Sequence, residues 1–171
     1  MPSSAHSVRL ALCGIALFWS SLSVSAADIV GRVVGVSDGD TITVLVDSHD
    51  RLKVRLSGID APEKSQPFGA ASKKSLSDQV FGKVVNIESN KKDRYGRFLG
   101  RVIFNGTDVC LEQIRAGMAW HYKRYSYEQS ESLRHSYADA ESQARQLKIG
   151  LWSEPAPVAP WEFRHQGRGG D

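Results

Sequence analysis

The chain has little that could hold it together covalently. It contains two cysteines in 171 residues. Cys13 lies in an apolar N-terminal stretch, and Cys110 has no partner once that stretch is removed, which excludes a disulfide framework. No histidine neighbours Cys110 in sequence, so a buried thiol on an apolar helix face is expected there, not a nucleophile. Long hydrophobic runs are also lacking. The best, Leu10 to Val24, is short and broken by serines, too weak for a bilayer span. Neither sign of charge dominates: 22 basic and 19 acidic residues leave +3. That balance is compatible with an anionic partner and diagnostic of none. There is no internal repeat and no linker of domain length.

What is present fits one domain with a short appendage. A composition 41% hydrophobic and 24% charged argues against wholesale disorder. Such a length needs no staple to build a core. Arg9 is the one formal charge before Asp28, and Val24-Ser25-Ala26 offers small residues for cleavage. Residues 1–26 therefore read as a signal peptide, and the exported chain is expected to begin at Ala27 in a periplasm or outside the cell. A lipoprotein at Cys13 is disfavoured because Leu12 is bulky where such sites want a small residue.

Five short strands follow. Asp28–Val36 is the first. Ser37-Asp38-Gly39 is turn chemistry, and Ile42, Val44 and Val46 alternate through the second strand. A turn near Ser48-His49 leads to the third, where Leu52, Val54 and Leu56 alternate with polar residues. The resulting antiparallel hairpin puts Asp40 opposite roughly Ser57, close to Arg55 and Asp60. A helix starts near Pro67, carries Phe68, Leu76 and Val80 at multiples of four, and stops at Gly82. Lys83–Glu88 and Arg97–Phe104 are the fourth and fifth strands, flanking a basic loop. Asp108 caps a short helix ended by Gly117. A last helix aligns Leu133, Tyr137, Ala140, Ala144 and Leu147 on one face before Gly150. Prolines 155, 157 and 160 mark residues 154–171 as a flexible tail. The pattern predicts an α+β fold: a five-stranded OB-fold β-barrel with three helices, spanning residues 27–153.

Three polar clusters stand out: Asp38-Gly39-Asp40-Thr41, Arg55 through Glu63, and Asp93-Arg94-Tyr95-Gly96-Arg97. In the second, an arginine, two carboxylates and Pro62 at a strand end could hold a metal and a phosphate side by side. A helix-loop-helix calcium loop from Asp38 fails, since Ile42 and His49 stand where oxygen ligands belong. In this order, with a helix interposed, the clusters resemble the staphylococcal (micrococcal) nuclease family, from about Val30 to about Trp152. The closing Ile149-Gly150-Leu151-Trp152 is similar to that family's last helix ending.

The resemblance implies a Ca²⁺-dependent nuclease that hydrolyses DNA and RNA and leaves 3′-phosphate ends. It implies that Asp40 and Asp60 bind the metal with the carbonyl of Ala61, where the family often has threonine. It makes Glu63 the residue that orients or deprotonates the attacking water, and Arg55 and Arg97 the grip on the scissile phosphate. Tyr95 and Arg94 would contact the substrate backbone. Tyr122, Lys123 and Tyr125 suit stacking and phosphate contact, although Trp120 competes for the aromatic role and is better suited to packing. His121, between two aromatics, is expected to be structural. Two other readings remain: a nuclease-like domain that has lost catalysis and binds nucleic acid, and an exported oligonucleotide-binding barrel unrelated to nucleases. The first would tend to lose the arginines and carboxylates present here; the second leaves the three clusters unexplained.

Overall fold

A computed structural model describes residues 27–47 and 49–166. The expected signal peptide, Ser48 and residues 167–171 lie outside the described residues. The first three strands form a meander: β1 (Ala27–Asp38), β2 (Thr41–Val46) and β3 (Asp50–Leu56). A two-residue strand, β4 (Ile59–Asp60), and helix α1 (Gly69–Val80) follow. Then come β5 (Val84–Lys92), β6 (Phe98–Phe104), the short β7 (Thr107–Asp108) and α2 (Val109–Arg115). The chain continues through β8 (Trp120–His121), a 3₁₀ turn at Lys123–Glu128 and α3 (Glu131–Gln146). It closes with α4 (Pro160–Gln166).

β1 pairs antiparallel with both β2 and β5, β2 with β3, and β5 with β6. One parallel pairing, β3 with β6, joins Val54 to Phe98 and Leu56 to Gly100 and closes the barrel. Closure leaves these five strands no free edge, and the expected five-stranded OB-type α+β fold is what forms. The alternation read from sequence explains the interior. Ile42, Val44, Val54 and Leu56 point inward and are at most 1% exposed, meeting Val33, Ile87 and Val102. Leu76 and Val80 of α1 and Ile114 of α2 cap this core, with Cys110 buried among them.

Several expectations shift by a residue or a face. β2 and β3 pair Thr41 with Arg55, and Leu56 N–H donates to the Asp40 carbonyl, so Asp40 faces Leu56 and not Ser57. Leu147, expected on the buried face of α3, is exposed; Glu141 is buried on that face instead. The larger departure concerns the segment read as a flexible tail. Residues 154–166 fold back on the domain. Ala159 and Pro160 are buried, and Trp161 meets Trp120 edge-on at 5.5 Å, beside the Trp120–Trp152 contact at 4.4 Å. Prolines restrict the chain before docking, and Pro160 starts α4 where its missing N–H costs nothing. There are thus four α-helices among the described residues, the fourth being this one.

Asp108 shows why α2 begins where it does. One carboxylate oxygen accepts the Cys110 and Leu111 N–H groups, and the other accepts the buried Tyr137 hydroxyl at 2.9 Å. Asp108→Ala should therefore cost about 1 kcal/mol for the cap and about 1–3 kcal/mol more for the orphaned hydroxyl. Asp108→Asn, which keeps a capping oxygen, should recover part of that loss. Urea unfolding midpoints test this; equal midpoints for wild type and Asp108→Ala would contradict it.

Candidate active site

The hairpin and the strand end after it bring the acidic residues together. Asp40 leaves the Asp38-Gly39 turn just before β2, 5% exposed, and Asp60 sits in β4, 1% exposed. Gly39 permits this arrangement because a Cβ there would lie 1.8 Å from Ser72 Oγ and 2.8 Å from Ala61 Cβ. Two carboxylates so close repel unless bridged, and Arg55 bridges them. Its Nη2 lies 3.0 Å from Asp40 Oδ2 and 2.8 Å from Asp60 Oδ1. Its Nη1 donates to the carbonyls of Leu56 and Ile59, which locks the fork. Asp40 also accepts the Ala61 N–H at 2.7 Å and the Thr41 hydroxyl at 3.1 Å. Burial pushes the Asp40 carboxyl up to about 7, against the downward pull of Arg55.

Glu63 follows at the half-exposed edge. Its backbone N–H donates to Gln66 Oε1 at 2.9 Å, which fixes the turn after Pro62. Its carboxylate accepts from Arg164 Nη1 at 2.7 Å. Arg97 enters from the far side of the barrel closure. Because Val54 pairs with Phe98 in parallel, Arg97 and Arg55 come to the same end of the barrel. Arg97 is held by Asp93, its Nε and Nη2 each 2.7 Å from Oδ2. Partial burial works against the charged form of Asp93, but hydrogen bonds from Arg97 and from the Tyr95 N–H outweigh it and hold the carboxyl below its ordinary value. Tyr95 is exposed, and its hydroxyl accepts from Arg94 at 2.7 Å.

One open cleft of about 1170 Å³ is lined by Asp40, Arg55, Asp60, Ala61, Glu63, Arg97 and, further out, Arg94, Tyr95, Tyr122 and Tyr125. Lys123 alone among the expected site residues lies outside it. Its ammonium pairs with the buried Glu141, and it faces a smaller adjoining cavity. Trp120 packs with Trp152 as expected of a core residue. His121 is 1% exposed and does not line the cleft. Its Nε2 meets Gln129 Oε1 at 2.9 Å, and its Nδ1 has no partner among the described residues.

Sequence reasoning missed Arg164. It places Nη2 2.7 Å from Asp60 Oδ2 and Nη1 3.3 Å from Asp60 Oδ1, with the Glu63 contact besides. The available signal was Pro160, a helix-starting proline followed by an aromatic-rich run, which was read as tail. Among the described residues no three His, Cys, Asp or Glu side chains form a compact metal cage. The donors present are nonetheless hard oxygens, and Asp40 Oδ2 and Asp60 Oδ1 already converge on one cationic nitrogen. With the Ala61 carbonyl and water that set fits Ca²⁺ in kind.

Burial lowers the pKa of His121, and Lys123 adds to that, against the Gln129 hydrogen bond. The unfolded chain therefore holds the extra proton first on acidification, so the neutral histidine's contribution to stability is present above about pH 6.5 and is lost as pH falls. His121→Gln should flatten that acid limb when unfolding free energies are measured from pH 7.5 down to 4.5. A limb of unchanged slope would contradict it.

A family model described as "Staphylococcal nuclease homologue" matches residues 53–154, which includes every site residue above except Asp40 and Arg164. An "Uncharacterized endonuclease" of Haemophilus influenzae is 45% identical over 135 residues, covering 79% of this chain and 72% of the relative. A protein of the same description from Escherichia coli O157:H7 is 43% identical over 153 residues, 89% of this chain and 95% of its own. A "Micrococcal nuclease" of Shigella flexneri is 36% identical and covers 98% of each chain. With these matches and a closed five-stranded barrel whose acidic pocket is spanned by one arginine, the chain belongs to the staphylococcal nuclease family.

Proposed function

We propose that this protein is an exported, Ca²⁺-dependent nuclease that hydrolyses phosphodiester bonds of DNA and RNA with weak sequence preference and leaves 3′-phosphate ends. The observation that carries the reading is the Arg55 fork between Asp40 and Asp60, with Glu63 and Arg97 lining the same cleft. The printed descriptions of the relatives, endonuclease and micrococcal nuclease, support the reaction class.

In this mechanism Asp40, Asp60 and the Ala61 carbonyl would hold Ca²⁺, which neutralises charge on a phosphoryl oxygen. Glu63 holds the attacking water and receives or steers its proton. Water oxygen bonds to phosphorus, the bond from phosphorus to the 5′ oxygen breaks, and the leaving oxygen takes up a proton. Negative charge grows on the equatorial oxygens meanwhile. The positive charges of Arg55 and Arg97 oppose it. Tyr122 and Tyr125, 5.6 Å apart and edge to face, offer surfaces for bases without reading their identity. No helix among the described residues is long and apolar enough to cross a membrane.

The test is cleavage of single-stranded DNA by the full chain with Ca²⁺ or a chelator, beside Glu63→Ala and Arg97→Ala. Chelation should abolish cleavage, and Arg97→Ala should lower the rate about 10²–10³-fold, the usual loss for one charge-stabilising donor. No cleavage with any divalent cation, while salt-sensitive DNA binding persists, would replace the enzyme with a binding module.

A further inference from the structure

The fork of Arg164 covers two of the three carboxylates on which the proposed chemistry depends. Its contacts are Asp60 Oδ2 at 2.7 Å, Asp60 Oδ1 at 3.3 Å and Glu63 Oε1 at 2.7 Å. Asp60 Oδ1 also accepts from Arg55 at 2.8 Å. A carboxylate offers about four lone-pair positions, so these bonds leave Asp60 little capacity for another ligand.

The position of Arg164 is built by its surroundings, not by the reach of a long side chain. Gln66 ties the two segments together: its Oε1 accepts the Glu63 N–H, and its Nε2 donates to the Val158 carbonyl just before α4. Trp161 rests against Trp120 and Tyr122, each at 5.5 Å. Ala159 is 2% exposed. One turn of helix separates Trp161 from Arg164, so docking the tryptophan delivers the guanidinium to the cleft.

Charge makes Arg164 and a dication rivals. Asp40, Asp60 and Glu63 supply at most three negative charges. Arg55 and a dication together supply three positive ones. Arg164 in place as well would leave an excess of positive charge in a partly buried pocket, where repulsion is weakly screened. The Arg164 side chain is 39% exposed, and α4 is seven residues long, so exchange requires no opening of the barrel.

We propose that Arg164 and a divalent cation compete for Asp60, with Glu63 as the second anchor of the docked arginine, which makes α4 a built-in plug of the active site. The inference rests on the cation site read above. The coupling is reciprocal: a bound cation loosens α4, and a docked α4 weakens cation binding by the same factor.

The test is calorimetric titration of Ca²⁺ into the full chain and into Arg164→Ala, Arg164→Lys and Trp161→Ala. Arg164→Ala should bind Ca²⁺ about tenfold more tightly, since the three charge-assisted bonds of the guanidinium no longer compete. Trp161→Ala keeps the arginine but removes its anchor, and its Kd should move the same way. Arg164→Lys, which cannot fork, should fall between wild type and Arg164→Ala. In wild type, Ca²⁺ should also change tryptophan emission as Trp161 leaves Trp120, and Trp161→Phe should abolish that change. A wild type that cleaves DNA while Arg164→Ala binds Ca²⁺ equally or more weakly overturns the plug and leaves the nuclease standing. A chain that neither cleaves nor takes up Ca²⁺, with or without Arg164, overturns both.

Discussion

The structure depends on how it keeps two buried aspartates a few ångströms apart. Asp40 and Asp60 are nearly inaccessible, and each is costly to bury as an anion. Arg55 answers both with one nitrogen and spends its other nitrogen on two carbonyls. Much of the nearby backbone serves that contact. The β2–β3 hairpin supplies Asp40 and Arg55 from neighbouring strands. The Gly58 turn, at φ 74°, brings the chain back so that β4 can present Asp60. β4 in turn is held by two residues of β8, where Asp60 pairs with Trp120. The apolar barrel is therefore a frame for a small ionic lattice at one end.

The second wall of the cleft follows from the single parallel pairing. Antiparallel neighbours alone would leave β3 and β6 as two edges, with the loop from Asp93 to Arg97 remote from Arg55. Parallel pairing from Val54 onward brings those segments side by side. Asp93 then orients Arg97 before any ligand arrives, as Arg55 is oriented by Asp40 and Asp60.

How much of this was legible beforehand depended on the range of the interaction. Local signals read well. Period-two alternation located the strands, Asp108 announced its helix, and Gly82 its stop, at φ 75°. The Asp40–Arg55 encounter followed from hairpin geometry to within one residue, the error coming from where the turn centres. Signals that need a partner distant in sequence did not read. Glu141 carries no local signal of burial; its partners, the His121 backbone N–H, Lys123 and Arg145, come together only in the fold. Lys123 looked like a phosphate contact for the same reason. Residues 154–166 were taken for tail because proline content was weighed and a tryptophan docking site was not. A surface made of Trp120 and Tyr122 has no pattern in the sequence until the barrel positions it.

The closing pairing also sets a timetable. β3 and β6 meet only after the chain has supplied the helix and strand between them, and Glu63 meets Arg164 across 101 residues. Loop-closure entropy must be met before such long-range contacts reward it. Meander strands β1 to β3 can pair early, from local contacts. The convergence of Arg97 with Arg55 waits on barrel closure, and α4 can dock only when Trp120 is in place. A nascent or unfolded chain therefore holds all the reactive side chains and no cleft. Competence requires those long-range contacts, so an unfolded chain carries no assembled site.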